Sequence, residues 1–288
     1  MFSMTMVLSA LELGCIYALV ALALYLSYRV LNIADMTTDG AFTLGCAVSA
    51  TLAVSGHPLL AFPAAMLAGA AAGFITAFLQ TRLSIPSILA GIITNTGLYT
   101  VNLAVMGFSS NVNMLKTDTL FTLLKGSLGS LYRLLPSAII VLAVGICLMV
   151  FLKTRLGLSI RATGDNPDMV RASSINTRFT ITIGLCVANA MTALSGAVLA
   201  QYQRTADINL GTGMVIIGLA SLIIGETLIP RKNSVLRLLG ILLGTILYRF
   251  IIALALRLDL PSECLKLISA VIVALAIGLP ALKKGAKA

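Results

Sequence analysis

Apolar runs of about 20 residues, broken by short polar stretches, dominate the chain, and a run of that length crosses the hydrocarbon core of a bilayer as a helix. The first extends from about Met4 to Tyr28 and stops at Arg29. The second covers Met36 to Ser55 and is closed by Gly56-His57-Pro58, and the third covers Leu59 to Gln80 and ends at Arg82. The fourth covers Pro86 to Phe108. A polar linker follows from Ser109 to Leu135, whose apolar patch, Leu120 to Leu124, is too short to span. The fifth run, Pro136 to Leu152, closes on Lys153 and Arg155. After a soluble-looking insert, Gly157 to Phe179, four more runs cover Phe179–Tyr202, Gly211–Leu228, Val235–Leu256 and Pro261–Leu282. The pattern predicts an all-α polytopic transmembrane helical bundle of about nine spans, within a range of roughly eight to ten. Residues 1–288 are expected to form a single transmembrane domain, with residues 157–179 as a cytoplasmic insert.

Composition strengthens this reading. The chain is 59% hydrophobic and 10% charged, against about 25% charged residues in soluble domains, so no soluble catalytic domain fits. The net charge of +10 reports topology rather than nucleic-acid binding, because the basic residues cluster at the ends of the runs. With the insert in the cytoplasm, the inner ends collect Arg29, Arg82, Lys153, Arg155, Arg161, Arg171, Arg178, Arg231, Lys232, Arg237, Lys283, Lys284 and Lys287. The outer ends carry Lys116, Lys125, Arg133, Arg204, Arg257 and Lys266. This bias predicts the N-terminus outside, the C-terminus inside and an odd number of spans. The N-terminal run lacks the basic start of a signal peptide and reads as a retained helix. Cys15, Cys46, Cys147, Cys186 and Cys264 lie in or beside apolar runs without a CxxC, and His57 is the only histidine. No metal set and no disulfide framework is expected.

Polar residues inside apolar runs are costly and are candidates for function. Glu12 and Arg249 sit at similar depth from the outer ends of their runs, and could form a buried ion pair that fixes helix packing or serves a solute. Asn95, Tyr99 and Asn102 recur at i, i+4 and i+7, which is one helical face, and fit a translocation path. Their alternative is interhelical hydrogen bonding. Asp35, Thr38 and Asp39 lie in a polar turn where Asp35 can cap a helix starting at Met36; that turn is expected to line the same passage. Asn32–Gly45 and Thr205–Gly218 are alike, each a polar Asp/Gly turn between a long helix and a small-residue helix. Such a pair suggests an inverted repeat. The GxxxG spacings Gly69–Gly73 and Gly240–Gly244, with Ala41–Gly45, allow close helix approach, read first as packing within one chain.

The insert contains a helix start: Asn166 as N-cap, Pro167 in the first helical position and Asp168 at the positive end of the dipole. About two turns can follow, to Ser173 or Ile175, with Met169 and Ala172 on one face. Such a helix is a docking element or an ordinary cytoplasmic loop. Arg161, Ala162, Gly164, Asp165, Asn166, Met169, Ala172, Ile175, Asn176 and Thr177 resemble the coupling loop of importer permeases of the ATP-binding-cassette class, in the branch serving branched-chain amino acids and sugars such as ribose. Ser174 departs from that pattern, which more often has glycine there. Gly14, Tyr17, Ala18, Leu19, Ala21, Leu22, Asn32, Ala34 and Gly40 resemble the same family, and Thr37 to Phe42 resembles a sub-branch loosely linked to aromatic amino acids. The likeness runs from Leu11 to Pro280.

The resemblance implies a non-enzymatic permease subunit in the cell (plasma or inner) membrane that passes a small solute handed over by an external binding protein. It implies ATPase subunits as partners, docked on Arg161, Gly164, Asp165, Asn166, Pro167, Met169, Arg171 and Ala172, and a second permease copy, most simply in a homodimer. It adds Asn32 to the path. No GxxxxGK[ST] occurs in the chain, so no cofactor is expected here, and ATP and magnesium belong to the partner ATPase. HExxH and GxSxG are absent too. The competing reading is a secondary transporter or channel working without an ATPase.

Overall fold

The computed structural model describes residues 4–229 and 234–256, together with Leu267 and Val271. Two long helices occupy the middle. The first, α1 (Met4–Leu24), runs on into a π-helical turn, Tyr25–Val30. Residues from Ile16 to Leu26 are almost completely buried, as befits a helix that is apolar on every side. The second central helix is α9 (Thr177–Gln203). Around them stand α2 (Thr38–Val54), α3 (Ala61–Arg82), α4 (Ser87–Val105), α6 (Leu134–Lys153), α10 (Met214–Leu228) and α11 (Ser234–Leu256). α3, α4 and α6 keep wide apolar faces exposed, including Leu67, Phe74, Ile92 and Ile139. In a membrane those faces meet acyl chains or another subunit. Six helices among the described residues are long and apolar enough to cross a bilayer.

Small residues set the contacts between helices. A side chain on Gly69 or Gly73 would collide with the carbonyls of Asn189 or Leu185, so α3 lies directly on α9. Gly45 meets Ala193 in the same way, and Gly240 and Gly244 bring α11 onto Gly225 and Ser221 of α10. All three small-residue motifs therefore pack helices within one chain. Without a hydrophobic drive between helices in lipid, such close backbone approach supplies the packing energy.

The structure corrects the sequence expectation in several places. The bundle is not purely α. Asn111–Asn113 (β1) pairs antiparallel with Thr205–Asp207 (β2), Val112 opposite Ala206. Strands of three residues are too short to carry an alternation signal. α9 ends on Arg204, whose left-handed φ of 57° turns the chain back toward β1. The linker between α4 and α6 also holds α5 (Leu120–Leu128), started by a capping box between Thr119 and Thr122 and by Gln201, whose Oε1 accepts the Leu120 N–H at 2.9 Å.

The helices in the expected second and seventh spans are shorter than the runs that hold them. α2 has 17 residues and α10 has 15, against about 20 for a straight span. The insert is more helical than expected: α7 (Arg155–Asp165) precedes α8 (Pro167–Ala172). α8 stops at Ala172, and Ser174 takes the left-handed φ of 59° that a glycine would adopt without strain. The expected ninth span, Pro261–Leu282, lies outside the described residues apart from Leu267 and Val271, as do Arg231, Lys232, Arg257, Lys266 and the C-terminal lysines.

Candidate functional site

The two short helices meet at their N-termini. Asp39, in the first turn of α2, accepts the N–H groups of Gly213 and Val215, each at 2.9 Å, and so caps α10 from outside. Thr43 accepts the Gly211 N–H at 3.1 Å and donates to the Asp39 carbonyl. A carboxylate at a helix N-terminus satisfies donors that have no partner within the helix and complements the dipole. The two turns that look alike in sequence, after α1 and after α9, are thus locked together.

Beside this junction lies a pocket of about 300 Å³, lined by Asp39, Gly40, Thr43, Asn95, Thr96, Tyr99, Asn102, Ile208, Asn209 and Thr212. α4 contributes one face of it. Asn102 is buried and donates to the Gly40 carbonyl at 3.2 Å, while its Oδ1 finds no partner. Asn95 lies against the bare Cα of Gly40, and Tyr99 is 53% exposed at the rim. The lining offers neutral amides, hydroxyls and a carboxylate already engaged by backbone N–H groups. That chemistry suits brief polar contact with a passing solute. No cluster of metal-ligating residues occurs among the described residues.

Of the residues expected on the path, the structure brings Asp39, Asn95, Tyr99 and Asn102 together. Asn32, Asp35 and Thr38 do not line this pocket. Asp35 is buried, accepting the Thr37 N–H at 2.9 Å and the Asn189 amide at 2.7 Å. Thr38 donates to the Asp35 carbonyl, and α2 starts at Thr38 rather than Met36. Asn32 is exposed, with φ 58°, just after the π-helical turn. Thr43, Thr96, Asn209 and Thr212 were missed. The signal for Asn209 and Thr212 was available, since they belong to the second of the two similar turns.

Glu12 and Arg249, both among the described residues, form no ion pair. Glu12 accepts the Tyr202 hydroxyl at 2.8 Å, and the Arg249 guanidinium lies 3.4 Å over the Tyr17 ring. Equal depth fixes height along two helices but not the direction in which the side chains leave them, and the aromatic rings intercept both. Glu226 is bonded to Arg29 at 3.0 Å.

In the insert, Asn166 caps α8 by accepting the N–H groups of Asp168 and Met169, each at 3.1 Å. Val170 is buried, and Arg171 reaches the Thr177 hydroxyl and Asp168, both at 3.2 Å. These contacts seat α8 against the start of α9 and leave Met169 69% exposed. Asn166, Pro167, Met169, Arg171 and Ala172 share this surface element. Arg161, Gly164 and Asp165 lie on α7 instead: Gly164 abuts the Val30 carbonyl, and Arg161 and Asp165 line a pocket with Arg29 and Arg237.

A bundle of apolar helices in which two short ones meet end to end beside a polar pocket is the architecture of a multi-pass membrane transport protein. Residues 6–277 match the family model described as the branched-chain amino acid transport system / permease component, and the chain belongs to that family. Its members are non-enzymatic membrane subunits of ATP-binding-cassette importers, whose ATPase is a separate chain; the reading as a self-sufficient secondary transporter is thereby set aside. One relative is the tyrosine transport system permease protein of Clostridioides difficile (strain R20291), 33% identical over 94% of this chain and 90% of its own. Another is an autoinducer 2 import system permease protein of Yersinia enterocolitica, 28% identical over 90% of this chain and 69% of its own. A solved structure, PsaBC from Streptococcus pneumoniae in complex with Fab, shares the fold, with a TM-score of 0.50 at 13% identity over 94% of this chain and 89% of that chain.

Proposed function

We propose that the chain forms one half of the transmembrane pore of an amino-acid importer, that its solute passes along the face of α4 carrying Asn95 and Tyr99, and that α8 docks the ATPase. The observation that carries the reading is the pocket where α4 meets the junction of α2 and α10. Asn95, Thr96 and Tyr99 lie on an accessible face of a spanning helix. Lipid offers no hydrogen bonds, so this face belongs against water or a second subunit rather than acyl chains. A homodimer that apposes two such faces encloses the path between them.

The same reading puts α8 in the cytoplasm, the N-terminus outside and the C-terminus inside, with about nine spans. The α1–α2 and α9–α10 units are inverted copies of each other. Solute arrives from an external binding protein. The 33% identical tyrosine permease favours an aromatic amino acid, and Tyr99 at the rim offers a ring for it to slide over. The test is ATP-driven uptake of radiolabelled L-tyrosine by the complete importer in liposomes. Asn95→Leu should lower the uptake rate about tenfold or more while ATPase subunits still co-purify. Wild-type uptake rates in Asn95→Leu would overturn the path assignment.

A further inference from the structure

Phe74, Phe78 and Arg82 stand at i, i+4 and i+8 on α3, so they form one stripe along the helix, ending at the last residue of its span. α9 lies antiparallel beside it and places Arg178, Phe179 and Thr182 next to that stripe. Together with Thr81 and Asn176 these residues line a cleft of about 550 Å³. Phe74, Phe78 and Phe179 are each about half exposed. Neither Arg82 nor Arg178 has a carboxylate partner among the described residues; Arg178 bonds Asn176 and Thr182 through its backbone. Arg171, close by, is by contrast occupied by Asp168 and Thr177.

We infer that this cleft binds one acidic phospholipid, its phosphate between Arg82 and Arg178 and one acyl chain along Phe179, Phe78 and Phe74. The geometry matches the ligand at both ends. Both arginines lie at the same end of candidate membrane spans, Ala61–Arg82 and Thr177–Gln203, which is the depth of headgroup phosphates. The aromatic stripe descends about 12 Å from Arg82 toward the middle of α3, at 1.5 Å per residue. A free phosphate would leave three phenyl rings uncovered, and an acidic groove on a soluble partner would have no use for rings that deep in the span. Basic recesses between spanning helices attract acidic headgroups. The site needs only the membrane-embedded fold; the leaflet, the inner one, follows from the cytoplasmic placement of α8 proposed above.

The full-length permease is incubated in detergent with an equimolar mixture of phosphatidylglycerol and phosphatidylcholine, and bound lipid is counted by native mass spectrometry. Phosphatidylglycerol should dominate the one-lipid adduct. The substitutions Arg82→Gln and Arg178→Gln should each lower its occupancy about fivefold, whereas Lys116→Gln in the outer linker should change nothing. Phe74→Ser with Phe78→Ser should weaken both lipids alike. Glycerol 3-phosphate, which carries the charge without the tails, should not displace the lipid. Equal binding of the two lipids, or an undiminished phosphatidylglycerol adduct in the double arginine variant, overturns the inference. So does displacement by glycerol 3-phosphate, which marks a small-anion site. Loss of ATPase co-purification in the arginine variants with lipid binding intact overturns it too, and assigns the cleft to the ATPase. Because the readout is lipid mass on the permease alone, a failed uptake assay leaves it untouched.

Discussion

Asn95 and Asn102 share a face of α4 by spacing alone, yet the fold gives them different work. Asn102 is buried and ties α4 to α2 through the Gly40 carbonyl, whereas Asn95 is half-buried in the pocket wall. Replacing Asn102 with Leu removes that bond and should destabilise the purified permease by about 1 kcal/mol, read as a lower midpoint of thermal unfolding. Asn95→Leu should leave the midpoint within error and act on uptake. If Asn102→Leu melts like the wild type, its bond to Gly40 contributes nothing to the fold. The shared face was legible because a helical period needs no tertiary information. Which of the two amides is consumed by a neighbouring helix depends on where α2 lies, and that is absent from the local pattern. Glu12 and Arg249 fail as a pair for the same reason: the intervening rings of Tyr17 and Tyr202 come from sequence-distant or differently oriented positions.

At the scale of elements, apolar runs and their breaks located the long helices closely, since a bilayer demands runs of about 20 residues. α2 and α10 deviated because their apolar runs include the turns that lead into them. The second is interrupted by Gly211 and Gly213, whose role as donors to Thr43 and Asp39 is set by tertiary contact. The start of α8 was legible from Asn166-Pro167-Asp168, and the structure supplies its seating through Val170 and Arg171. A helix-in-groove contact buries an apolar anchor, and Met169 is the large apolar side chain that α8 leaves exposed. Met169→Asp should abolish co-purification of the ATPase with permease expression unchanged; retained binding would remove α8 from the docking surface. Close packing of α3 on α9 has its own test. Gly69→Leu drives a side chain into the Asn189 backbone, and a forced separation of two spanning helices should lower the yield of folded protein several-fold, measured as the monodisperse fraction after detergent extraction. A normal yield would mean that the two helices can part without penalty.

For the whole molecule, polar α4 residues on an accessible face and the engaged α2–α10 junction make sense as half of a passage. Native mass spectrometry of the complete importer should show two permease copies with two ATPase subunits; a stable active complex with one of each would contradict the pairing. The most direct test of the passage itself is thiol labelling. In the assembled importer, with Cys15, Cys46, Cys147, Cys186 and Cys264 replaced by Ser or Ala, Asn95→Cys should react with a membrane-impermeant, water-soluble maleimide, and its rate should change between the ATP-bound and nucleotide-free states. Resistance to the reagent in every nucleotide state would mean that this face of α4 packs dry against protein, and that the solute passes elsewhere.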